Sequence, residues 1–89
     1  MKKFETIIIL RPNILEEEKE KILNEIKEIV NVTSIEEWGK RKLAYPIKKN
    51  NEGYYYLINF KKESNDHSAL EKYYKNNEAI IKFIIVLKD

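Results

Sequence analysis

Residues 4–10 read FETIIIL, and this stretch decides the fold. It is rich in β-branched residues, is too short for a stable helix, and is followed by Arg11, Pro12 and Asn13. A short apolar run with such a boundary is typical of a strand buried at the centre of a sheet. The sequence therefore predicts that the chain begins with a central β-strand ending in a turn.

Two segments carry apolar residues at helical spacing. The first covers residues 15–30, has three glutamates in its first turn, and has Asn13 as its predicted N-cap. The second extends to Asn76 and has Asn65 or Asp66 as its predicted N-cap. We expect its apolar side to be formed by Ala69, Leu70, Tyr73 and Tyr74.

Three further segments have the composition of strands. They cover residues 33–47, 54–60 and 79–87. We predict a β-bulge at Trp38 and Gly39, and a hairpin tip in the polar residues 48–53. The element order β-α-β-β-α-β is that of the ferredoxin-like α+β fold. We therefore expect a single domain over residues 1–89, with a four-stranded antiparallel sheet, both helices on one face and the other face free.

The composition excludes several kinds of site. No cysteine is present, so disulfides, thiolate metal sites and cysteine catalysis are excluded. His67 is the only histidine, and the capping of the second helix already explains its polar neighbours. The chain has only two glycines, Gly39 and Gly53, and no glycine-rich phosphate loop. We therefore expect no metal, no cofactor and no enzymatic activity.

The sequence also predicts a cellular location. Its longest unbroken apolar run, residues 83–87, is far shorter than a membrane span. Residues 1–5 carry neither a long apolar core nor a small-residue cleavage site. We expect no membrane association and a location in the cytoplasm, or in an organelle that makes its own proteins.

The charges are unevenly distributed, although their sum is only +2. Both helical segments are acidic in sum, whereas residues 38–47 read WGKRKLAYPI and place three consecutive cations between Trp38 and Tyr45. Cations neutralise phosphates and aromatic rings stack on unpaired bases, so this composition favours RNA binding. The same charges and Pro46 would also protect an edge strand from aggregation.

A second candidate RNA motif is weaker. Residues 52–59 share a glycine and aromatic residues with the signature of RNA-recognition motifs, but the first residue is Glu52 where a basic residue belongs. We interpret Gly53 as completing the hairpin and the tyrosines as cross-strand packing.

Residues 38–47 resemble the most specific motif of the bacterial-type sixth protein of the small ribosomal subunit. Residues 2–13 are similar to the opening strand and turn of that family, and residues 78–83 to the entry into its last strand. Gly53, Tyr54 and Tyr56 fit its hairpin. Two features depart from the family pattern: residues 31–34 form a short connection without the usual glycine, and most of its arginines are lysines here.

The resemblance implies a non-enzymatic ribosomal protein that binds the central domain of small-subunit ribosomal RNA together with the eighteenth small-subunit protein. The expected RNA-binding residues are Lys2, Lys3, Lys40, Arg41, Lys42, Lys82 and Lys88. Large residues beside a charged edge are typical of a protein interface. The expected interface with the partner protein comprises Trp38, Leu43 and Tyr45.

Two other functions on the same fold remain open. A small-molecule-sensing regulatory module that dimerises through its sheet would have apolar residues on both sheet faces, a ligand pocket between subunits and no basic edge. An acylphosphatase-like enzyme would need an arginine in an anion-binding loop after the first strand. Arg11 is suitably placed for this, but its turn lacks the glycines that let backbone amides converge on a phosphate.

Overall fold

One four-stranded antiparallel sheet and two helices make up the computed structural model, which describes residues 1–88. The elements in chain order are β1 (Lys2–Leu10), α1 (Glu16–Ile29), β2 (Asn31–Ile47), β3 (Asn50–Lys62), α2 (Ser68–Asn76) and β4 (Ile80–Leu87). The strand order in the sheet is β2-β3-β1-β4, so β1 is central and β2 is an edge. The predicted ferredoxin-like architecture is confirmed.

Alternate side chains of β1 and β3 form the core beneath the helices. Every second residue of β1 from Phe4 to Leu10 is buried, and the antiparallel register places Phe4 opposite Phe60 and Ile8 opposite Tyr56. The helices complete this core with Ile22, Ile26, Leu70 and Tyr74. The helices cover only this side of the sheet. We call the opposite side, which carries Ile7, Leu57 and Ile84, the free face.

Both helices begin later than predicted. The N-cap of α1 is Leu15, whose side chain makes no capping hydrogen bond, and not Asn13. Asn13 lies instead in a turn closed by a hydrogen bond from the backbone N of Ile14 to the O of Arg11, and this turn buries the Ile14 side chain in the core. Burial of an isoleucine is worth more than a side-chain cap, so the turn prevails.

The start of α2 shows a similar offset. Its N-cap is His67, but the carboxylate of Asp66 accepts a hydrogen bond of 3.0 Å from the backbone N of Ser68, so Asp66 satisfies one of the free donors at this end. Ala69, predicted on the apolar side of α2, is exposed, whereas Leu70 and Tyr74 are buried.

The β2–β3 hairpin is longer and tighter than predicted. β2 starts at Asn31, directly after Val30, so residues 31–34 belong to the strand and do not form a connection. The turn consists only of Lys48 and Lys49, with φ values of 49° and 68°. Positive φ at both central residues is the geometry of a two-residue hairpin turn, which usually selects glycine or asparagine, so the sequence did not predict it here.

Gly53 lies inside β3 and does not complete the hairpin, contrary to our interpretation. A β-carbon at this position would collide with Cγ2 of Ile9 and would lie 3.0 Å from the backbone O of Leu10. The close approach of β3 to the end of β1 therefore explains this glycine.

A buried hydrogen-bond chain joins α2 to the two strands beneath it. The hydroxyl of Thr6 donates to the backbone O of Ile84 at 2.8 Å, so the hydroxyl of Tyr74, 3.2 Å away, must donate to Oγ1 of Thr6. Burial raises the pKa of Tyr74 to about 12, which keeps this hydroxyl protonated at neutral pH.

The direction of these hydrogen bonds predicts that removing the Thr6 hydroxyl and removing the Tyr74 hydroxyl will lower the free energy of unfolding by different amounts. Thr6→Val should lower the free energy of unfolding by about 1–3 kcal/mol, because the buried Tyr74 hydroxyl then has no acceptor. Tyr74→Phe should cost about 1 kcal/mol, because Thr6 keeps its bond to Ile84. Urea unfolding of both variants measures the difference. A larger loss for Tyr74→Phe would show that the hydrogen bonds run the other way.

Candidate nucleic-acid interface

The basic tract, defined as Lys40, Arg41 and Lys42, lies on the outer edge of the sheet. Lys40 pairs with Tyr54 of β3, and its Nζ is 5.5 Å from the centre of that ring, on the side of the sheet that carries the helices. Arg41 points to the free face, where its guanidinium carbon is 5.6 Å from the centre of the Trp38 ring. The strand therefore directs Arg41 away from its two neighbours, as alternation predicts.

The bulge predicted at Trp38 is present and shapes the tract. The register advances from the pair Glu37–Tyr56 to the pair Gly39–Tyr55, so Trp38 is the extra residue, and Gly39 has a φ of 81°. The Trp38 ring stacks on the Tyr55 ring at a centroid distance of 6.4 Å and an interplanar angle of 15°. Trp38 is thereby held on the free face with 37% of its surface exposed.

A second irregularity follows the tract. Between the pairs Lys42–Glu52 and Ile47–Asn50, β2 has four residues where β3 has one. The extra residues, which include Leu43 and Tyr45, loop away from the strand pairing. Tyr45 is 80% exposed and Leu43 is half-buried.

The excursion forms one wall of a groove on the free face. The groove, of about 170 Å³, is lined by Leu43, Tyr45, Ile9, Tyr55 and Lys82, together with Ala44 and Ile47. Tyr55 also stacks on Trp38, so the three residues predicted to bind a partner protein surround one connected surface. Lys82, predicted from the last strand to bind RNA, pairs with Ile9 and lies at the same surface.

A buried cation, which the sequence did not indicate, lies close to the tract on the helix side of the sheet. Lys19 of α1 is 5% exposed, and its Nζ is 3.6 Å from the centre of the Tyr54 ring. Burial disfavours the charged ammonium, but a hydrogen bond of 3.0 Å to Glu16 and nearby negative charge outweigh it, so the pKa of Lys19 lies above its ordinary value. The ammonium groups of Lys19 and Lys40 thus both lie close to the Tyr54 ring.

The remaining predicted RNA-binding residues lie elsewhere. Lys2 and Lys3 start β1, and Lys88 follows β4, where its Nζ is 3.4 Å from a carboxylate oxygen of Glu5. These three lysines are at the end of the sheet far from the tract. The structure therefore divides the predicted RNA-binding residues into two groups.

The residues that an enzyme would use are already engaged in other contacts. Arg11 donates through one nitrogen to both carboxylate oxygens of Glu18, at 3.0 and 2.8 Å, so the arginine that an acylphosphatase-like site needs is neutralised. Nδ1 of His67 is 3.1 Å from Oε1 of Glu71 but makes no hydrogen bond with the described residues, and the His67 ring meets the Phe4 ring edge-on at a centroid distance of 5.9 Å. Residues 1–88 contain no cluster of carboxylates and histidine suited to a metal ion, and none of their helices is long and apolar enough to cross a membrane.

The free face has one feature of the dimerising regulatory module. Ile84 and Val86 are exposed there by 47% and 46%, and Ile7 and Leu57 lie beside them. A second feature of that module, an edge without basic residues, is missing because the tract occupies the edge strand β2.

Comparisons with known proteins identify the family. The model of the ribosomal protein S6 family matches residues 3–87. The small ribosomal subunit protein bS6 of Caldanaerobacter subterraneus is 36% identical over 94 aligned positions, which cover 100% of this chain and 99% of the relative. The bS6 protein of Clostridioides difficile is 38% identical over 91 positions, which cover 98% and 99%.

A solved structure agrees with this result. The crystal structure of the 30S ribosomal protein S6 from Thermotoga maritima matches with a TM-score of 0.90 and 32% identity, over 98% of this chain and 87% of that one. The resemblance seen in residues 38–47 is therefore confirmed over nearly the whole chain, and the chain belongs to the ribosomal protein S6 family.

Proposed function

We propose that this protein of the small ribosomal subunit acts in the cytoplasmic ribosome as a non-enzymatic assembly component, with residues 1–89 forming one domain. In this role it binds the central domain of small-subunit ribosomal RNA together with the eighteenth small-subunit protein. The observation that carries the proposal is the basic tract, three cations on an exposed edge strand beside aromatic residues, in a chain of the S6 family.

The geometry of the tract suits an RNA backbone. Lys40 and Lys42 project on one side of β2 and Arg41 on the other, so the edge presents cations in two directions to a phosphate chain. Nε of Arg41 donates to the backbone O of Trp38 at 3.3 Å, which orients the guanidinium while its other N–H groups stay available. An oriented guanidinium can bind a phosphate through two hydrogen bonds.

The aromatic surface beside the tract suits a protein partner. Tyr45 is 80% exposed, and the half-buried Leu43 lies next to it in the groove on the free face. Large side chains that leave the core and flank a groove are typical anchors of a protein interface. We assign this surface to the eighteenth small-subunit protein, so that RNA and partner meet on adjoining parts of β2.

Removing the tract should change how RNA binding depends on salt. We expect the triple variant Lys40→Ala, Arg41→Ala, Lys42→Ala to bind a central-domain transcript more weakly. The slope of log affinity against log salt should flatten by about one for each lost phosphate contact. Filter binding over a series of salt concentrations measures both quantities.

A matched control separates contact from net charge. The triple variant Lys21→Ala, Lys27→Ala, Lys72→Ala removes the same charge from exposed helix positions. It should keep the wild-type slope. If the tract variant keeps it too, the tract does not bind RNA.

The exposed tyrosine should matter for the partner and little for folding. We expect Tyr45→Ala to weaken binding of the eighteenth protein by about tenfold or more, as for an interface anchor. Its free energy of unfolding should stay within about 0.5 kcal/mol, because the side chain is exposed. Calorimetric titration and urea unfolding measure the two effects.

Leu15→Ala provides the control for lost apolar surface, since Leu15 is 64% exposed at the start of α1. It should leave partner binding unchanged. Equal effects of the two substitutions on binding would contradict the assignment of this surface.

A further inference from the structure

We propose that the end of the free face opposite the tract holds a second RNA site, which takes a ribose–phosphate segment and is built around Ser34, Asn59 and Lys61. This distal site rests on the proposed function, because it would engage the same ribosomal RNA as the tract. It adds residues that the sequence did not indicate as RNA-binding.

The distal site is a cavity of about 290 Å³ between the start of β2 and the end of β3, with polar and aromatic residues in its lining. Its lining residues are Lys3, Phe4, Thr33, Ser34, Asn59, Phe60, Lys61 and Lys88. Two hydrogen bonds fix its polar floor: Nδ2 of Asn59 donates to Oγ of Ser34 at 3.0 Å, and Oγ1 of Thr33 donates to the backbone O of Asn59 at 3.2 Å. A bulge between Val32 and Ser34 allows Thr33 to reach this position.

Positive charge is concentrated at this end of the sheet. Lys3 lies directly opposite Lys61, and Lys2 directly opposite Lys62, across β1 and β3. Like charges in such cross-strand pairs are destabilising. Glu5 offsets Lys88, whereas Lys61 forms no ion pair with any other residue in the range 1–88. A bound anion would supply an opposite charge for Lys61.

An unsatisfied acceptor in the same cavity narrows the choice of anion. Oδ1 of Asn59 is shielded from solvent and accepts no hydrogen bond from the described residues. A buried acceptor without a donor is costly, so a ligand that supplies one is favoured. A rotation of the Asn59 side chain would bring Oδ1 to the cavity surface, where the 2′-hydroxyl of ribose can donate to it while the adjoining phosphate accepts from lysine. Free phosphate and DNA lack this pairing of groups.

The two sites are too far apart to bind neighbouring phosphates. Lys61 follows Gly53, the partner of Arg41, by eight residues along β3, which corresponds to about 26 Å. Arg41 and Lys61 both lie on the free face, and neighbouring phosphates are much closer together than this. The tract and the distal site would therefore contact phosphates that are several nucleotides or more apart in the RNA.

Substitutions within the distal site test the proposal in two ways. Lys61→Gln should weaken binding of the central-domain transcript and lower the salt slope by about one. Asn59→Ala should weaken binding by about two- to tenfold without changing the slope, since it removes a hydrogen bond and no charge. Lys72→Gln, an equal charge change on an exposed position of α2, serves as the control and should match the wild type.

Directed cleavage locates the RNA independently of affinity. Because the chain has no cysteine, a single cysteine introduced by Glu63→Cys, next to the distal site, or by Ala44→Cys, next to the tract, can carry iron–EDTA. The two probes should cleave separate sets of nucleotides, and a probe attached through Lys72→Cys should cleave neither set.

The outcomes show separately whether the distal site and the proposed function are correct. If the tract variant loses affinity while Lys61→Gln and Asn59→Ala bind like Lys72→Gln, the distal site is wrong and the proposed function stands. Cleavage from Ala44→Cys without cleavage from Glu63→Cys leads to the same conclusion. If neither the tract variant nor the distal variants change binding, the proposed function fails as well.

Discussion

The packing of β1 between β3 and β4, with Phe4, Thr6, Ile8 and Leu10 turned beneath the helices, is the constraint on which the other features depend. Each large apolar side chain buried there contributes about 1.5–3 kcal/mol, and a slip of one residue would move them all to the free face. This packing fixes the register of β3 and, through β3, that of β2. The edge position of β2, and with it the exposure of the tract, follows.

The two irregularities of β2 determine which side chains of this edge strand point to the free face. Glu37 pairs with the buried Tyr56, so in a regular strand Arg41 would share that side and its two lysine neighbours would point to the free face. The extra residue at Trp38 shifts the alternation by one position, so that each later side chain points to the opposite side of the sheet. It brings Arg41 onto the free face, beside the stacked rings of Trp38 and Tyr55. The excursion after Lys42 releases Tyr45 into solvent in the same region.

Local patterns in the sequence were sufficient for the central strand, the element order, the bulge at Trp38 and the alternation around Arg41. They were not sufficient where contacts between residues far apart in the sequence determine the local structure. The turn at Lys48 and Lys49 adopts positive φ because the long pairing of β2 with β3 imposes it. The proposed distal site combines residues from three strands, so Asn59 and Lys61 could be identified as candidates only from the register that sets Lys61 opposite Lys3. The same register separates Lys2, Lys3 and Lys88 from the tract.

In the proposed function, the exposed edge strand and the free face of this small, charged sheet bind RNA and protein of the small ribosomal subunit. The most direct test of this function is sedimentation of the wild-type protein with small subunits that lack their own S6 protein. The account predicts that the protein moves with the subunit peak in about equimolar amount at moderate salt. Protein that remains at the top of the gradient, while the other small-subunit proteins stay bound, would contradict it.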